Sequence, residues 1–384
     1  MRRARSCGRS EPAAAQIDCS YVLPLRLSDR VAAAGIAAEL AGYLEQVATW
    51  CAEVIVVDGS AQQIFELIAQ VLPASVRHIP PDPRHAGLFG KVTGVLTGLD
   101  LAAHEAILIA DDDVRYEREG IARVVAMLRE YDLVRPQNYF DPHPWHALWD
   151  TARTLLNRAT GADFPGTLGV RSSTLRAAGG YDADVLFENL ELIRTIEGHG
   201  GTTVAPLDLY VRRLPPSTAH FLSQRTRQAY DDLALPLRMG VWLAILPTLL
   251  LCVVRRRPEP AAALALSAVG LAEFGRRRAG GTSVFPSAGS LLAPAWLLER
   301  GACAWLALLQ RSRYGGVRYG DSTIRVAAHS RRDLRRERVA AGRHPPSCGA
   351  GPKKPATGEP GRVGDPGFEP GTSSLSEKRS NRLS

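Results

Sequence analysis

Disulfide chemistry and structural zinc are the first things this chain lacks the means for. Its six cysteines, Cys7, Cys19, Cys51, Cys252, Cys303 and Cys348, are scattered, with no Cys-x-x-Cys pair among them. That spacing gives neither a disulfide framework nor a zinc ligand set, and it suits a reducing compartment. Residues 1–20 are basic and rich in small side chains but hold no apolar run, so no cleaved signal peptide is expected. No stripe of interleaved aromatic and basic residues and no zinc-finger spacing supports a nucleic-acid reader. Missing too is any uninterrupted apolar stretch of the ~20 residues that a perpendicular membrane span wants.

With 384 residues, 45% of them hydrophobic and 22% charged, the chain has material for one large domain or two around a real core. The net charge of +8 is unevenly spread: arginines gather at both termini, at Arg255-Arg256-Arg257 and at Arg276-Arg277-Arg278. Beside apolar segments, such clusters fit anionic lipid headgroups better than nucleic acid.

Residues 1–17 read as a disordered lead-in. A first strand over 21–26 is followed by an amphipathic helix over 30–51, with Ile36, Leu40, Leu44 and Val47 at helical spacing. Residues 53–57 form a buried strand closing on Asp58-Gly59-Ser60, a turn signal. Helix 61–72, a short strand at 76–79, a proline-stiff loop and helix 91–103 come next. The strand 107–110 then ends in Asp111-Asp112-Asp113, three carboxylates that cannot be buried unpaired at tolerable cost. This alternation predicts an α/β fold with a mostly parallel, doubly wound sheet, whose ligands lie outside the carboxyl ends of its strands. Asp58 and Asp111 to Asp113 occupy two such ends, where acids can hold a hard divalent cation such as Mg2+ or Mn2+. The plainer reading is a solvated acidic turn.

Further on, a helix over 119–131 and a strand over 133–136 lead to an aromatic stretch, 138–150, suited to a sugar or lipid surface or to core packing. His143 and His146 have metal-like spacing, but the prolines beside them speak against a regular helix, so no metal role is expected of them. Residues 167–170 read as a strand, Gly179-Gly180-Tyr181 as a turn, and Glu188-Asn189-Leu190-Glu191 as a helix start. Acids there also serve the helix dipole, with no chemistry implied. Residues 202–206 are strand-like, 212–216 a loop, and 221–233 a helix carrying Gln224, Arg225 and Arg227. Residues 239–254, 261–274 and 291–309 are apolar and point to membrane association with open topology. From 311 to 384 no periodicity survives, and a basic, Gly- and Pro-rich disordered tail is expected.

The order Val56-Val-Asp58-Gly-Ser60, Asp111-Asp-Asp113, Gly179-Gly-Tyr181, Glu188-Asn-Leu-Glu191 and Gln224-Arg-Thr-Arg227 resembles the family 2 glycosyltransferases of the GT-A fold. The resemblance covers residues 18–235, and the apolar segments over 236–310 are similar to those of the membrane-associated branch. It implies a nucleotide-diphospho-sugar donor, a divalent cation, an inverting transfer to an acceptor hydroxyl on a lipid or glycan, and a site on the cytoplasmic face of the cell membrane. Asp58 would contact the base or ribose, with Lys91 near the nucleotide. Asp111 and Asp113 would form the DxD pair, with Asp113 on the metal. Gln224 and Arg227 would line the diphosphate and acceptor side. Asn189 stands where the family has its aspartate base, which leaves Glu188 or Glu191 for that role. Gln228 replaces the tryptophan that ends the family's Gln-x-x-Arg-Trp motif, which favours single transfer over polymerisation. Two other readings are a catalytically degenerate nucleotide-sugar binder at the membrane and a sugar nucleotidyltransferase. The second would need a glycine-rich loop near the amino terminus, where Pro24-Leu-Arg-Leu-Ser28 stands instead.

Overall fold

The computed structural model describes residues 15–340 except 86, 88, 320 and 321, so the expectations for 1–14 and 341–384 lie outside the described residues. Strand β1 (Ile17–Leu25) leads into helix α1 (Arg30–Trp50). The pattern repeats through β2 (Cys51–Asp58), α2 (Gln62–Val71), β3 (Arg77–Ile79), α3 (Gly90–Leu101) and β4 (Ala106–Ala110). Side chains alternate across a strand, and here both faces are apolar, so the strands are covered on both sides. Tyr21, Leu23, Val54, Val56 and Leu108 point into a core shared with Leu40 and Leu44 of α1 and Ile68 of α2. Their neighbours Val22, Ile55, Val57, Ile107 and Ile109 meet Val92, Val95 and Leu99 of α3 on the other face.

Strand β1 pairs in parallel with both β2 and β4, and β2 pairs in parallel with β3. The order β3-β2-β1-β4 therefore switches direction between β1 and β4, the crevice in which open α/β sheets take ligands. Beyond it come β5 (Val114–Arg115), α4 (Arg118–Met127), β6 (Leu133–Val134), β7 (Gln137–Phe140) and α5 (Trp145–Thr160). Then follow β8 (Thr167–Arg171), α6 (Ser172–Ala178), α7 (Glu188–Gly198), β9 (Thr203–Val204), β10 (Tyr210–Arg213) and α8 (Thr218–Asp231). Strand β8 joins antiparallel to β4 and to β6, and β9 lies parallel to β6, so the seven-stranded sheet is mixed. A second sheet, β5-β10-β7, begins just past the acidic turn.

Two local expectations fail. Residues 145–160 form a regular helix because Pro144 occupies the N-cap, where a missing N–H costs no helical hydrogen bond. His146 is therefore helical, and its Nε2 donates to Pro216 O at 2.8 Å. The loop expected over 212–216 begins instead as the end of β10.

Helices α9 (Pro236–Val254), α10 (Glu259–Arg277), α11 (Ser287–Leu291) and α12 (Ala293–Tyr314) belong to the same compact unit as the sheet. Here α10 packs on α5, and α12 packs on α8 and α9. A Cβ on Gly275 would lie 2.0 Å from Leu155 O, so only glycine lets α10 approach α5 this closely. Of the apolar segments expected to be membrane-associated with open topology, one helix among the described residues, α9, is long and apolar enough to cross a membrane. The expected loss of structure from 311 onward is also corrected. Helix α12 runs on to Tyr314, and β11 (Val317–Tyr319), β12 (Ser322–Ile324) and α13 (Arg331–Ala340) follow. Contacts made elsewhere in the fold hold this segment, since Leu334 of α13 buries itself beside Gly198 of α7.

Candidate active site at the strand ends

Beyond β4, the Asp111 N–H donates to Gly166 O at 2.9 Å and the Leu214 N–H donates to Asp113 O at 2.8 Å, which pins the acidic turn between β8 and β10. Antiparallel pairing sets Arg213 of β10 opposite Val114 of β5 and so brings its guanidinium to the turn. Its Nε lies 2.9 and 2.8 Å from the two Asp113 oxygens, and its Nη2 lies 3.4 Å from Asp111 Oδ2. Lys91, in the first turn of α3, places Nζ 2.6 Å from Asp111 Oδ1 and 2.8 Å from Glu188 Oε1 at the start of α7. Gly166 makes room for this: a Cβ there would stand 2.6 Å from Asp111 Oδ2 and 3.0 Å from Arg213 Cζ.

Burial works against the charge on Lys91, but Asp111 and Glu188 more than offset it, and the ammonium is held well above its usual pKa. Arg213 is raised in the same way, burial being outweighed by Asp113 and Asp111. Asp112 is pushed up to about 6 by burial and by the acids on either side of it. The cluster thus holds two desolvated, permanently charged donors in fixed positions. Such donors make their strongest bonds to phosphate or carboxylate oxygens.

Asp58 is buried at the end of β2, where it accepts from Ser60 N at 2.8 Å and lies 3.1 Å from His78 Nε2. Burial raises its pKa, but the bonds from His78 and Ser60 outweigh it and the net shift is downward. The His78 ring stacks on Phe65 at 4.1 Å. These partners belong to the β2–β3 side, so the fold does not bring the Asp58 carboxylate onto the acidic turn.

Glu188 and Glu191 lie one helical turn apart and go to different places. Glu191 is fully buried; its Oε2 accepts from His329 N at 2.7 Å and its Oε1 meets His329 Nδ1 at 3.0 Å. The bond to Glu191 is the main reason His329 is raised to about 9. In the same stretch Leu186 N–H donates to Val326 O and Phe187 N–H to Ala327 O, so residues 326–329 clamp the entry to α7. Glu188 joins the Lys91 cluster, whereas Glu191 holds this clamp. The Asn189 amide donates to Pro165 O at 2.9 Å.

Arg227 Nη1 donates to Gln224 Oε1 at 2.9 Å, and its guanidinium lies 5.3 Å from the Phe89 ring centroid, close to Lys91 in sequence. These two residues therefore border the Lys91 side of the cluster. Arg225, between them in sequence, bonds Glu299 at 2.6 and 2.9 Å and Asp150 at 3.0 Å, fastening α8 to α12 and α5. Sequence reasoning missed Arg213, His78 and this tether. For Arg213 the available signal was the alternation Leu209, Val211, Arg213, which suits a strand better than a loop.

Asp111 and Asp113 offer hard oxygen donors. Among the described residues no group of three or more His, Cys, Asp or Glu side chains is placed to hold a metal ion. Mg2+ is commonly held by one or two carboxylates, with phosphate and water filling its other positions. The donor set thus fits a cation brought with a diphosphate, not a protein-only cage.

No protein-family model and no curated protein matches the chain. Solved structures do. A mannosyltransferase from Pyrobaculum calidifontis in complex with GDP-Man and Mn2+ is similar over 79% of this chain and 90% of its own, at 16% identity and a TM-score of 0.47. Glucosyl-3-phosphoglycerate synthase from Mycobacterium tuberculosis, in complex with Mn2+, UDP and phosphoglyceric acid, covers 56% and 76% at 15% identity and a TM-score of 0.36. Mannosyl-3-phosphoglycerate synthase from Rubrobacter xylanophilus covers 54% and 69% at 16% identity and a TM-score of 0.35. Each of these is a partial likeness.

Proposed function

We propose that the chain is a GT-A, family 2-like glycosyltransferase that moves a sugar from a nucleotide-diphosphate donor to an acceptor hydroxyl. The observation that carries this reading is Lys91 Nζ held between Asp111 and Glu188 beside Arg213, at the ends of the strands flanking the sheet's switch point. A diphosphate entering there exchanges carboxylate for phosphate on donors that are already charged and desolvated. Asp111 and Asp113 would hold a Mg2+ or Mn2+ ion, which when bound offsets charge on the leaving diphosphate. Glu188, released from Lys91 as that ammonium turns to phosphate, takes the proton of the acceptor hydroxyl. The oxygen attacks the anomeric carbon opposite the leaving group, so the configuration inverts. Asp58 and His78 shape the turn on the nucleotide side, and Gln224 and Arg227 border the diphosphate and acceptor side. The exposed apolar helices support membrane association; a lipid or glycan acceptor and a place on the cytoplasmic face of the cell membrane are what the family resemblance implies.

Thermal-shift measurements with nucleoside diphosphates, with and without Mn2+, test the donor site. One base should stabilise the protein in a metal-dependent way. Asp113→Ala should lose that response, and an unchanged response in the variant would overturn the assignment. Glu188→Gln should keep donor binding and lose roughly 100-fold or more in transfer rate; a full rate would rule Glu188 out as the base. A second reading, a nucleotide-sugar binder without turnover, draws on the Asn189 amide, which is tied to Pro165 O and accepts no proton. Donor binding with neither hydrolysis nor transfer would decide for it.

A further inference from the structure

We propose that the α9–α10 hairpin lies flat in one leaflet of an anionic membrane surface and does not cross the bilayer. The inference rests on the membrane placement above and gives it a geometry.

One face of the amino-terminal half of α9 is already covered by protein, while Leu237 and Val241 stand exposed on its other side. Met239 and Ile245 are buried, Trp242 packs edge-on against Trp296, and Trp305 Nε1 donates to Leu243 O at 3.1 Å. The part of α9 that projects beyond these contacts is residues 247–254, a rise of ~12 Å, against a hydrocarbon core of ~30 Å. On the return, α10 is anchored to α5 by its buried Ala268, Ala272 and Gly275. A hairpin with both ends held to the protein body and so short a free length cannot reach the opposite leaflet.

Its surface is nonetheless built for lipid. From residue 246 to residue 267 no side chain is buried, and Leu250, Val253, Val254 and Leu266 are 65 to 74% exposed. The apolar surface continues along the outer flank of α10 through Leu271 and Phe274, a lateral stripe and not only a tip. Patches of this kind mark contact sites. At the tip stand Arg255, Arg256 and Arg257, all exposed and with no ion pair among the described residues. Insertion tip-first would drive three guanidinium groups into hydrocarbon. Lying flat buries the stripe and lets the arginines reach lipid phosphates. Charge complementarity thus selects an anionic bilayer over a second copy of a chain whose net charge is +8. Arg256 even adopts a left-handed backbone, φ 52°, which glycine would take more cheaply.

The test uses the full chain with vesicles of phosphatidylcholine, alone or mixed with phosphatidylglycerol. Binding should require phosphatidylglycerol and be reversed by high salt or alkaline carbonate. The triple variant Arg255→Gln, Arg256→Gly, Arg257→Gln should bind roughly 100-fold more weakly, from about tenfold or less per basic residue. The triple variant Leu250→Ser, Val253→Ser, Val254→Ser should also weaken binding. Both variants alter exposed positions only, and their nucleoside-diphosphate thermal shift should equal that of the wild type. Carbonate-resistant insertion, or labelling of a tip cysteine from the far side of the vesicle, would overturn the flat geometry in favour of a span. Equal binding to neutral vesicles, or concentration-dependent dimerisation without vesicle binding, would overturn the choice of partner. Diphosphate binding without vesicle binding sinks the hairpin proposal alone, and vesicle binding without diphosphate binding sinks only the donor site.

Discussion

Arginines meet two different fates in the strand-end site and in the α9–α10 hairpin. Arg213 and Arg225 are enclosed by carboxylates of the chain itself: Asp111 and Asp113 for the first, Asp150 and Glu299 for the second. Arg255, Arg256 and Arg257 stand in solvent beside a bare apolar flank, and no acid among the described residues meets them. The difference follows from solvation. A guanidinium removed from water must be matched at once by the fold, whereas one left in water can wait for a partner from outside.

That contrast can be broken by measurement. Arg225→Ala should cost the most, about 2–4 kcal/mol in denaturant unfolding, because it leaves Glu299 with the Trp149 indole N–H and Asp150 with Arg153 alone at a contact between three helices. A loss below ~1 kcal/mol would place this network with ordinary surface pairs. The Glu191–His329 pair should contribute less, about 1–2 kcal/mol once partial exposure of the imidazole is allowed for. Its sign is fixed by linkage. His329 titrates near 6.5 when unfolded and about 9 when folded, so its contribution is complete below pH 6.5 and fades as pH rises through 9. Unfolding of wild type and His329→Gln on either side of pH 9 should therefore show a gap that closes in alkali, and a gap independent of pH would contradict the pairing. Smallest of all, Arg255→Gln should change unfolding stability by no more than ~0.5 kcal/mol. A larger loss would mean that the hairpin arginine already has a partner within the chain.

The first half of the fold was legible because its signals are local. Apolar runs at 53–57 and 107–110, each ending in acid, locate two strands and the direction in which they face, and the register of β1 between β2 and β4 confirms the doubly wound reading. The elements that were missed depend on distant partners. Arg213 gains its meaning from Asp113, 100 residues earlier, and β10 is too short to announce itself. Helix α5 was hidden by prolines whose effect reverses at an N-cap. Helix α13, so rich in arginine that its own sequence looks unfolded, is held by Leu334 and by contacts to α7. Glu188 and Glu191 were indistinguishable in sequence because both suit a first helical turn; only packing separates them.

The clamp on α7 also bears on how the molecule is made. Residues 326–329 fasten the entry to α7, and His329, whose N–H donates to the Glu191 carboxylate, lies 138 positions after it. A ribosome releases chains from the amino end, and segments fold as they emerge. The sheet and the acidic turn can thus be in place while the edge carrying Glu188 still waits for one of the last described segments to leave the exit tunnel. The edge of the site that carries Glu188 is therefore fastened only after residues 326–329 have emerged.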